Sequence, residues 1–267
     1  MAAAVVGASN ETRTYLVTGA ASGIGAATAD LLRSQGRDVI SLDRHRADIC
    51  VDLATADGRA DAVRQVRAYG RGLDAVIACA AIFDSIPETA SINYFGVVDV
   101  LAELRPVLEM SPAPRVAVMG AWAGMLTVAE PVVEACLAGD EPLAQRAVAE
   151  TTGDDRRAVV YSSTKRALMR WVRRAAVQPA WGGKGILLNA LVPCTVDTAM
   201  VANVLETQAA REQWHRDLPT LQSRLARPEE VAEFLAFLTS EQNRLMVGQV
   251  VFADLGRELI TRGESIF

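Results

Sequence analysis

Histidine is almost missing from this chain of 267 residues: His45 and His215 are the only two. A histidine-rich metal site is therefore excluded as a working expectation, and the sequence implies no metal. Cysteine is also sparse. Cys50, Cys79, Cys136 and Cys194 stand far apart with no Cys-x-x-Cys pair, which argues against a zinc knuckle or a disulfide framework and for a reducing compartment. Lys and Arg number 27 against 32 Asp and Glu, so there is no basic excess to neutralise phosphates and no nucleic-acid partner is expected. The longest near-continuous apolar stretch, Val116 to Ala129, is too short to cross a bilayer. Met1 to Thr14 carries an Ala/Val run with no basic residue before Arg13, which does not read as a secretory signal. A cytoplasmic, soluble protein with a small-molecule substrate and no membrane partner is the expectation.

What is present is alternation. Short aliphatic runs at Tyr15–Val17, Asp38–Leu42, Ile49–Val51, Leu73–Ala78, Arg115–Met119, Ile186–Leu191 and Gln249–Phe252 read as strands. Between them lie amphipathic segments at Ile24–Ser34, Asp57–Ala68, Ile92–Leu108, Val159–Ala176 and Pro228–Thr239. Nearly all-apolar strands separated by helices predict an α/β fold, a doubly wound parallel sheet of about seven strands covered on both faces. No repeat or linker divides the chain, so residues 1–267 are expected to form one domain. About forty residues separate the fifth strand from the helix holding Tyr161, where a connection usually takes about 2–6. Pro131–Ala138 and Glu141–Glu150 read as two short helices of an insertion spanning about 127–157.

Directly after the first strand comes Thr18-Gly19-Ala-Ala-Ser22-Gly23-Ile24-Gly25, running into a helix. Gly19 permits a sharp turn, Gly23 lets backbone approach a pyrophosphate, and Gly25 lets helix and strand pack closely. The helix start then offers unpaired N–H groups to phosphate. Asp43 ends the second strand 18 residues past Gly25, where a carboxylate accepts from a ribose hydroxyl and repels a 2′-phosphate. NAD is thus expected over NADP, although Arg44 and Arg46 beside Asp43 could offset the repulsion. Asp52-Leu53 is placed to meet the adenine. The plain alternative for either Asp is a turn residue.

Tyr161 and Lys165 are spaced to share one face of a helix. A free tyrosine has a pKa of about 10, and a fixed cation nearby lowers it, which would suit proton exchange with an alcohol while nicotinamide does the redox step. Tyr-x-x-x-Lys alone is common, and only the upstream glycine loop makes it informative.

With these motifs the chain resembles the short-chain dehydrogenases/reductases over essentially its whole length, most closely their bacterial 3α-hydroxysteroid dehydrogenase/carbonyl reductase group. Thr18–Gly25, Asp43, Val51-Asp52-Leu53, Ile92-Asn93-Tyr94-Phe95-Gly96, Tyr161, Lys165, Asn189, Pro193, Thr198 and the insertion carry the likeness. The resemblance implies Tyr161 as acid/base, Lys165 on the nicotinamide ribose, Asn93 holding a relay water, and Pro193 and Thr198 bordering the nicotinamide. It also implies that Ala80 lines the adenine pocket, that a lid follows Thr198 through Trp214 and His215 over about 198–226, and that the chain is a homodimer rather than a tetramer. His215 itself reads as a surface residue.

Three positions depart from the family. Ala78-Cys79-Ala80-Ala81 replaces the usual Asn-Asn-Ala-Gly, and Cys194 follows Pro193 where glycine is normal, as a space-filler or a reactive thiol. Ala121, in Gly120-Ala121-Trp122-Ala123-Gly124, occupies the position of the family's catalytic serine, and no serine lies between Ser111 and Ser162. Thr127, Ser162 or a substrate hydroxyl could substitute. Ala121, Trp122 and Tyr161 are the expected substrate pocket, though Trp122 reads equally as core. The expected activity is NAD(H)-dependent interconversion of a secondary alcohol and a ketone on an apolar alicyclic, terpenoid or steroid-like substrate. The alternative is a non-redox NAD-binding protein, either regulatory or a lyase or isomerase, motivated by the missing serine.

Overall fold

The computed structural model describes residues 12–202 and 205–265, without the side chain of His215. The expected role of His215 and most of the N-terminal Ala/Val run lie outside the described residues. The strands are β1 (Thr14–Thr18), β2 (Asp38–Asp43), β3 (Ile49–Cys50), β4 (Ala75–Ala78), β5 (Arg115–Met119), β6 (Leu187–Pro193) and β7 (Val250–Ala253). The helices are α1 (Gly23–Ser34), α2 (Ala56–Ala68), α3 (Glu88–Ala90), α4 (Gly96–Leu108), α5 (Glu130–Ala138), α6 (Glu141–Glu150), α7 (Arg156–Ala176), α8 (Ala199–Ala202), α9 (Gln208–Asp217), α10 (Pro228–Leu238) and α11 (Arg257–Arg262). All pairings are parallel, in the order β3-β2-β1-β4-β5-β6-β7.

The strands are apolar throughout because alternate residues serve two cores. Leu16, Ile40, Leu42, Val76, Val116 and Val118 face α2, α4 and α7, whereas Tyr15, Val17, Val39, Ile77 and Ala117 face α1 and α10. Strand order reverses between β1 and β4, so their chain connections leave in opposite directions. A crevice opens there at the carboxyl ends of the strands.

The segment read as one helix over Ile92–Leu108 is two pieces, a π-helical turn over Ser91–Phe95 and α4, with the short α3 just before them. Such a turn is invisible to a periodicity of 3.6 residues. The inserted α5 and α6 bury Val132, Val133, Cys136, Ala144 and Val148 in the same core as α4 and α7. Arg59 on α2 reaches the insertion: its guanidinium, 5% exposed, pairs with Asp99 of α4 at 3.0 Å and bridges both carboxylate oxygens of Glu141 on α6. Burial pushes the Asp99 carboxyl up, and Arg59 opposes that shift. Breaking a buried pair leaves an uncompensated charge, here moderated by the solvent that reaches Asp99. Arg59→Met is expected to lower stability by about 2 kcal/mol, or a melting temperature lower by roughly 4–8 °C in a calorimetric scan.

Candidate active site

The crevice between β1 and β4 is lined by Gly19, Ser22, Gly23, Ile24 and Gly25 on one side and Asp43, Arg44, Asp52 and Leu53 on another. Ala80, Tyr161, Lys165 and Thr198 complete it. Most of the side chains expected at a site therefore share one cleft. Gly19 has φ +70°, and a Cβ there would lie 2.7 Å from the Ala80 nitrogen; a Cβ on Gly25 would strike the Gly19 carbonyl. Only glycine closes this turn. Ser22 caps α1 without a side-chain bond, and the first turn of α1 holds no acidic residue, so its N–H groups face the cleft unopposed. The Asp43 carboxylate is held in place, accepting from the Ala21 nitrogen at 3.0 Å and from the Arg44 nitrogen at 2.6 Å. Both oxygens keep lone pairs for a diol. These residues fit a dinucleotide: a glycine cradle that any Cβ would fill, an open helix start, and an oriented carboxylate.

The turn Cys79-Ala80 lacks the family's asparagine side chains, and Thr18 takes over. Its carbonyl accepts from the Cys79 nitrogen at 3.3 Å and its hydroxyl from the Ala80 nitrogen at 3.2 Å. Asp52 is exposed and accepts from the Ala54 nitrogen at 2.9 Å, so it is a turn residue as well as a cleft residue.

Lys165 is 2% exposed, and its Nζ donates to the Met119 carbonyl at 2.9 Å. Burial pulls its pKa down to about 8, partly offset by Cys79. Tyr161 is half-buried on the same face of α7, with its ring centroid 5.7 Å from Nζ. The expectation that Lys165 lowers the tyrosine pKa is not met in the protein alone. Burial pushes the phenol up to about 12, and the ammonium beside it donates to a backbone carbonyl.

Asn93 is fully buried within the π-helical turn, and its amide is spent on protein. Oδ1 accepts from the Ile82 nitrogen at 2.8 Å, while Nδ2 donates to the Ile82 carbonyl at 2.9 Å and to Thr164 Oγ1 at 3.2 Å. A water held by this residue would have to use its main-chain carbonyl.

Other expected residues fall away from the cleft. Trp122 is 4% exposed in the main core, edge-on to Phe252 with centroids 6.0 Å apart, so its large apolar surface went to packing. Pro193 is buried at the end of β6. Cys194 is buried too, and burial pushes its thiol up, which fits a space-filler and not a nucleophile. Thr198 reaches the cleft, its methyl 3.2 Å from where a Gly23 Cβ would lie. Among the proposed stand-ins for the missing serine, Thr127 is exposed and Ser162 is 2% exposed. Ala121 has an extended backbone and starts a single 3-10 turn, bringing no donor of its own.

Sequence reasoning missed the Met119 carbonyl, the Thr164 hydroxyl and Phe83, whose ring stands edge-on to Tyr161 at 5.2 Å. No motif marks a backbone carbonyl, and only the three-residue step from Tyr161 could have pointed to Thr164. Asn189, quoted for the family likeness, is structural: its amide joins Met246 and Gln249 across to β7.

Three comparisons agree with this geometry. The family model described as enoyl-(acyl carrier protein) reductase matches residues 19–258. The 3-alpha-hydroxysteroid dehydrogenase/carbonyl reductase of Comamonas testosteroni is 30% identical over 253 residues, 92% of this chain and 97% of that one. The cis-4-hydroxycyclohexanecarboxylate dehydrogenase of Sinomonas cyclohexanicum is 31% identical over 266 residues, 91% and 96% of the two chains. The crystal structure of the 3-alpha-hydroxysteroid dehydrogenase from Pseudomonas sp. B-0831 with NADH superposes with a TM-score of 0.86 at 34% identity, covering 94% of this chain and 99% of that one. A seven-stranded parallel sheet, a glycine cradle at its switch point and these relatives together establish that the chain belongs to the short-chain dehydrogenase/reductase family.

Proposed function

We propose that this protein is an NAD(H)-dependent oxidoreductase that interconverts a secondary alcohol and a ketone on an apolar alicyclic, terpenoid or steroid-like substrate, with Tyr161 as acid/base. The carrying observation is that Tyr161 and Lys165 open into the same cleft as the glycine cradle and Asp43. The relatives from Comamonas and Sinomonas are named for ring alcohols, which supports the substrate class. Because the relatives compared are dehydrogenases and reductases, the non-redox reading gains no support from them.

A bound nicotinamide supplies the redox equivalents. The Tyr161 hydroxyl gives its proton to the forming alcohol or takes one from the substrate. Lys165 sits one turn inward to hold the ribose hydroxyls, Asn93 fixes Ile82 against α7 and offers its carbonyl to a relay water, and Gly19–Gly25 with Asp43 hold the pyrophosphate and adenosine ribose. Thr198 borders the nicotinamide, with Pro193 shaping that wall from the core. The segment of about 198–226 acts as lid, its α9 held by Trp214 donating to Thr195 Oγ1 at 2.8 Å. The protein is taken as a cytoplasmic homodimer; among the described residues no helix is long and apolar enough to cross a membrane, and Phe234 and Phe237 leave α10 an exposed apolar face.

With Ala121 in place of serine, Tyr161 must be the main donor to the substrate oxygen. One missing preorganised donor costs about 10²–10³ in rate. Three outcomes are expected from steady-state assays against 3-hydroxysteroids, terpenols and cycloalkanols. Tyr161→Phe loses nearly all turnover while cofactor affinity measured by fluorescence stays within about threefold, whereas Ala121→Ser raises kcat by tenfold or more. A scaffold protein would show neither change.

Asp43→Ser is expected to move the kcat/KM ratio of NADP to NAD upward by at least about tenfold, since it removes the charge that repels a 2′-phosphate. An unchanged ratio would remove Asp43 from cofactor selection.

The phenol at about 12 stays protonated through neutrality. Ketone reduction should therefore hold level between about pH 6 and 9. Alcohol oxidation, which needs the base form, should climb up to about tenfold per pH unit over the same range. Oxidation that levels off below about pH 7 would show that the ternary complex lowers the tyrosine far from its value in the free protein.

A further inference from the structure

Two ring contacts in series link Tyr161, which lines the cleft, to Phe83 and then to the exposed Arg157. Phe83 meets Tyr161 edge-on, with centroids 5.2 Å apart and planes at 84°. The Arg157 guanidinium lies over the opposite reach of the Phe83 ring, its Cζ 4.9 Å from the centroid. Arg157 and Tyr161 are four residues apart on α7, so their backbone positions lie about one turn from each other, and the Phe83 ring touches both side chains. Lys165 is one turn inward. One helix face thus carries the cofactor-side ammonium, the acid/base and an outer guanidinium in sequence.

Arg157 differs from Arg156 and Arg166, its neighbours on α7. Arg156 donates to the Ser85 and Val148 carbonyls, and Arg166 to the Gly124 and Leu126 carbonyls with Glu130 nearby. Arg157 makes no hydrogen bond or ion pair with the described residues, even though Asp84, Asp154 and Asp155 lie close in the chain or on the neighbouring loop. A guanidinium resting on an aromatic face keeps its N–H edge free, and that planar fork matches a carboxylate.

We propose that the substrate carries a carboxylate and that Arg157, positioned by Phe83, reads it. This rests on Tyr161 as the reacting acid/base.

The test uses 4-oxocyclohexanecarboxylate and its carboxamide, an isosteric neutral partner, with full-length wild type, Arg157→Gln and Arg157→Lys. Binding to the enzyme–NADH complex is read by cofactor fluorescence, and reduction by loss of NADH. Wild type is expected to bind the acid about two- to fivefold tighter than the amide, the range of one exposed charge pair. That ratio should fall toward one in Arg157→Gln, recover in part in Arg157→Lys, and shrink at high salt. The effect on the acid should appear in KM and not in kcat. A wild-type ratio near one, or a ratio unmoved by Arg157→Gln, overturns the proposal. An Arg157-dependent preference in binding without reduction by any variant would keep the carboxylate site and sink the oxidoreductase reading; reduction without preference would do the reverse.

Discussion

The hydrogen bond from Lys165 Nζ to the Met119 carbonyl joins the middle of α7 to the last residue of β5, and the site is arranged around it. An ammonium buried to 2% exposure is costly, and one carbonyl does not satisfy its three donors. The remaining donors face the cleft, where ribose hydroxyls can meet them. The fold thus holds a partly satisfied cation at the cleft, and its burial lowers the pKa of Lys165. Two residues past Met119 stands Ala121, so the same strand end that holds the lysine also carries the residue proposed to face the substrate oxygen.

A second tie acts on the other side of Tyr161. The Asn93 amide clamps both backbone groups of Ile82 and the Thr164 hydroxyl, so the loop after β4, the π-helical turn and α7 move as one piece. Phe83 follows directly from that clamped residue, which is why its edge can rest on Tyr161. Arg59 adds an outer brace, linking α2 and α4 to the inserted α6. The insertion is therefore part of the support behind α7, its Val133, Cys136 and Val148 buried in one core with Val160, Ala167 and Leu168 of that helix.

The alternation of apolar runs made the parallel sheet legible, since strands serving two cores have no polar face to hide. The glycine loop was legible for a steric reason, at positions where a Cβ has no room. Side-chain direction was not. Trp122 is next to the expected serine position, yet its ring turned into the core against Phe252, a residue far along the chain. Asn93 was found by its Tyr-Phe-Gly context, but whether its amide or its carbonyl faces the cleft depends on a π-helical turn that no pattern announces. The Tyr-x-x-x-Lys spacing located the pair correctly in space. It did not give the sign of the tyrosine shift, because that depends on the acceptor the ammonium finds, a backbone carbonyl set by β5.

The alanine at position 121 and the raised phenol act in the same direction. A hydroxyl there would solvate the phenolate and share the substrate oxygen with Tyr161; a methyl group does neither. Apolar neighbours favour the neutral form of Tyr161, which is a donor, over the charged form, which is a base. A site with one hydroxyl, held protonated, is better at giving a proton than at taking one. The nearest protein cation to the ring, Lys165 at 5.7 Å, is committed elsewhere until its own remaining donors are engaged. Binding and proton transfer are coupled in this arrangement, because whatever reorients the ammonium also changes the base strength of the tyrosine. On the proposed reading of Tyr161 as acid/base, a phenol held protonated presents the donor half of that pair, and the balance between the two directions depends on what engages the Lys165 ammonium.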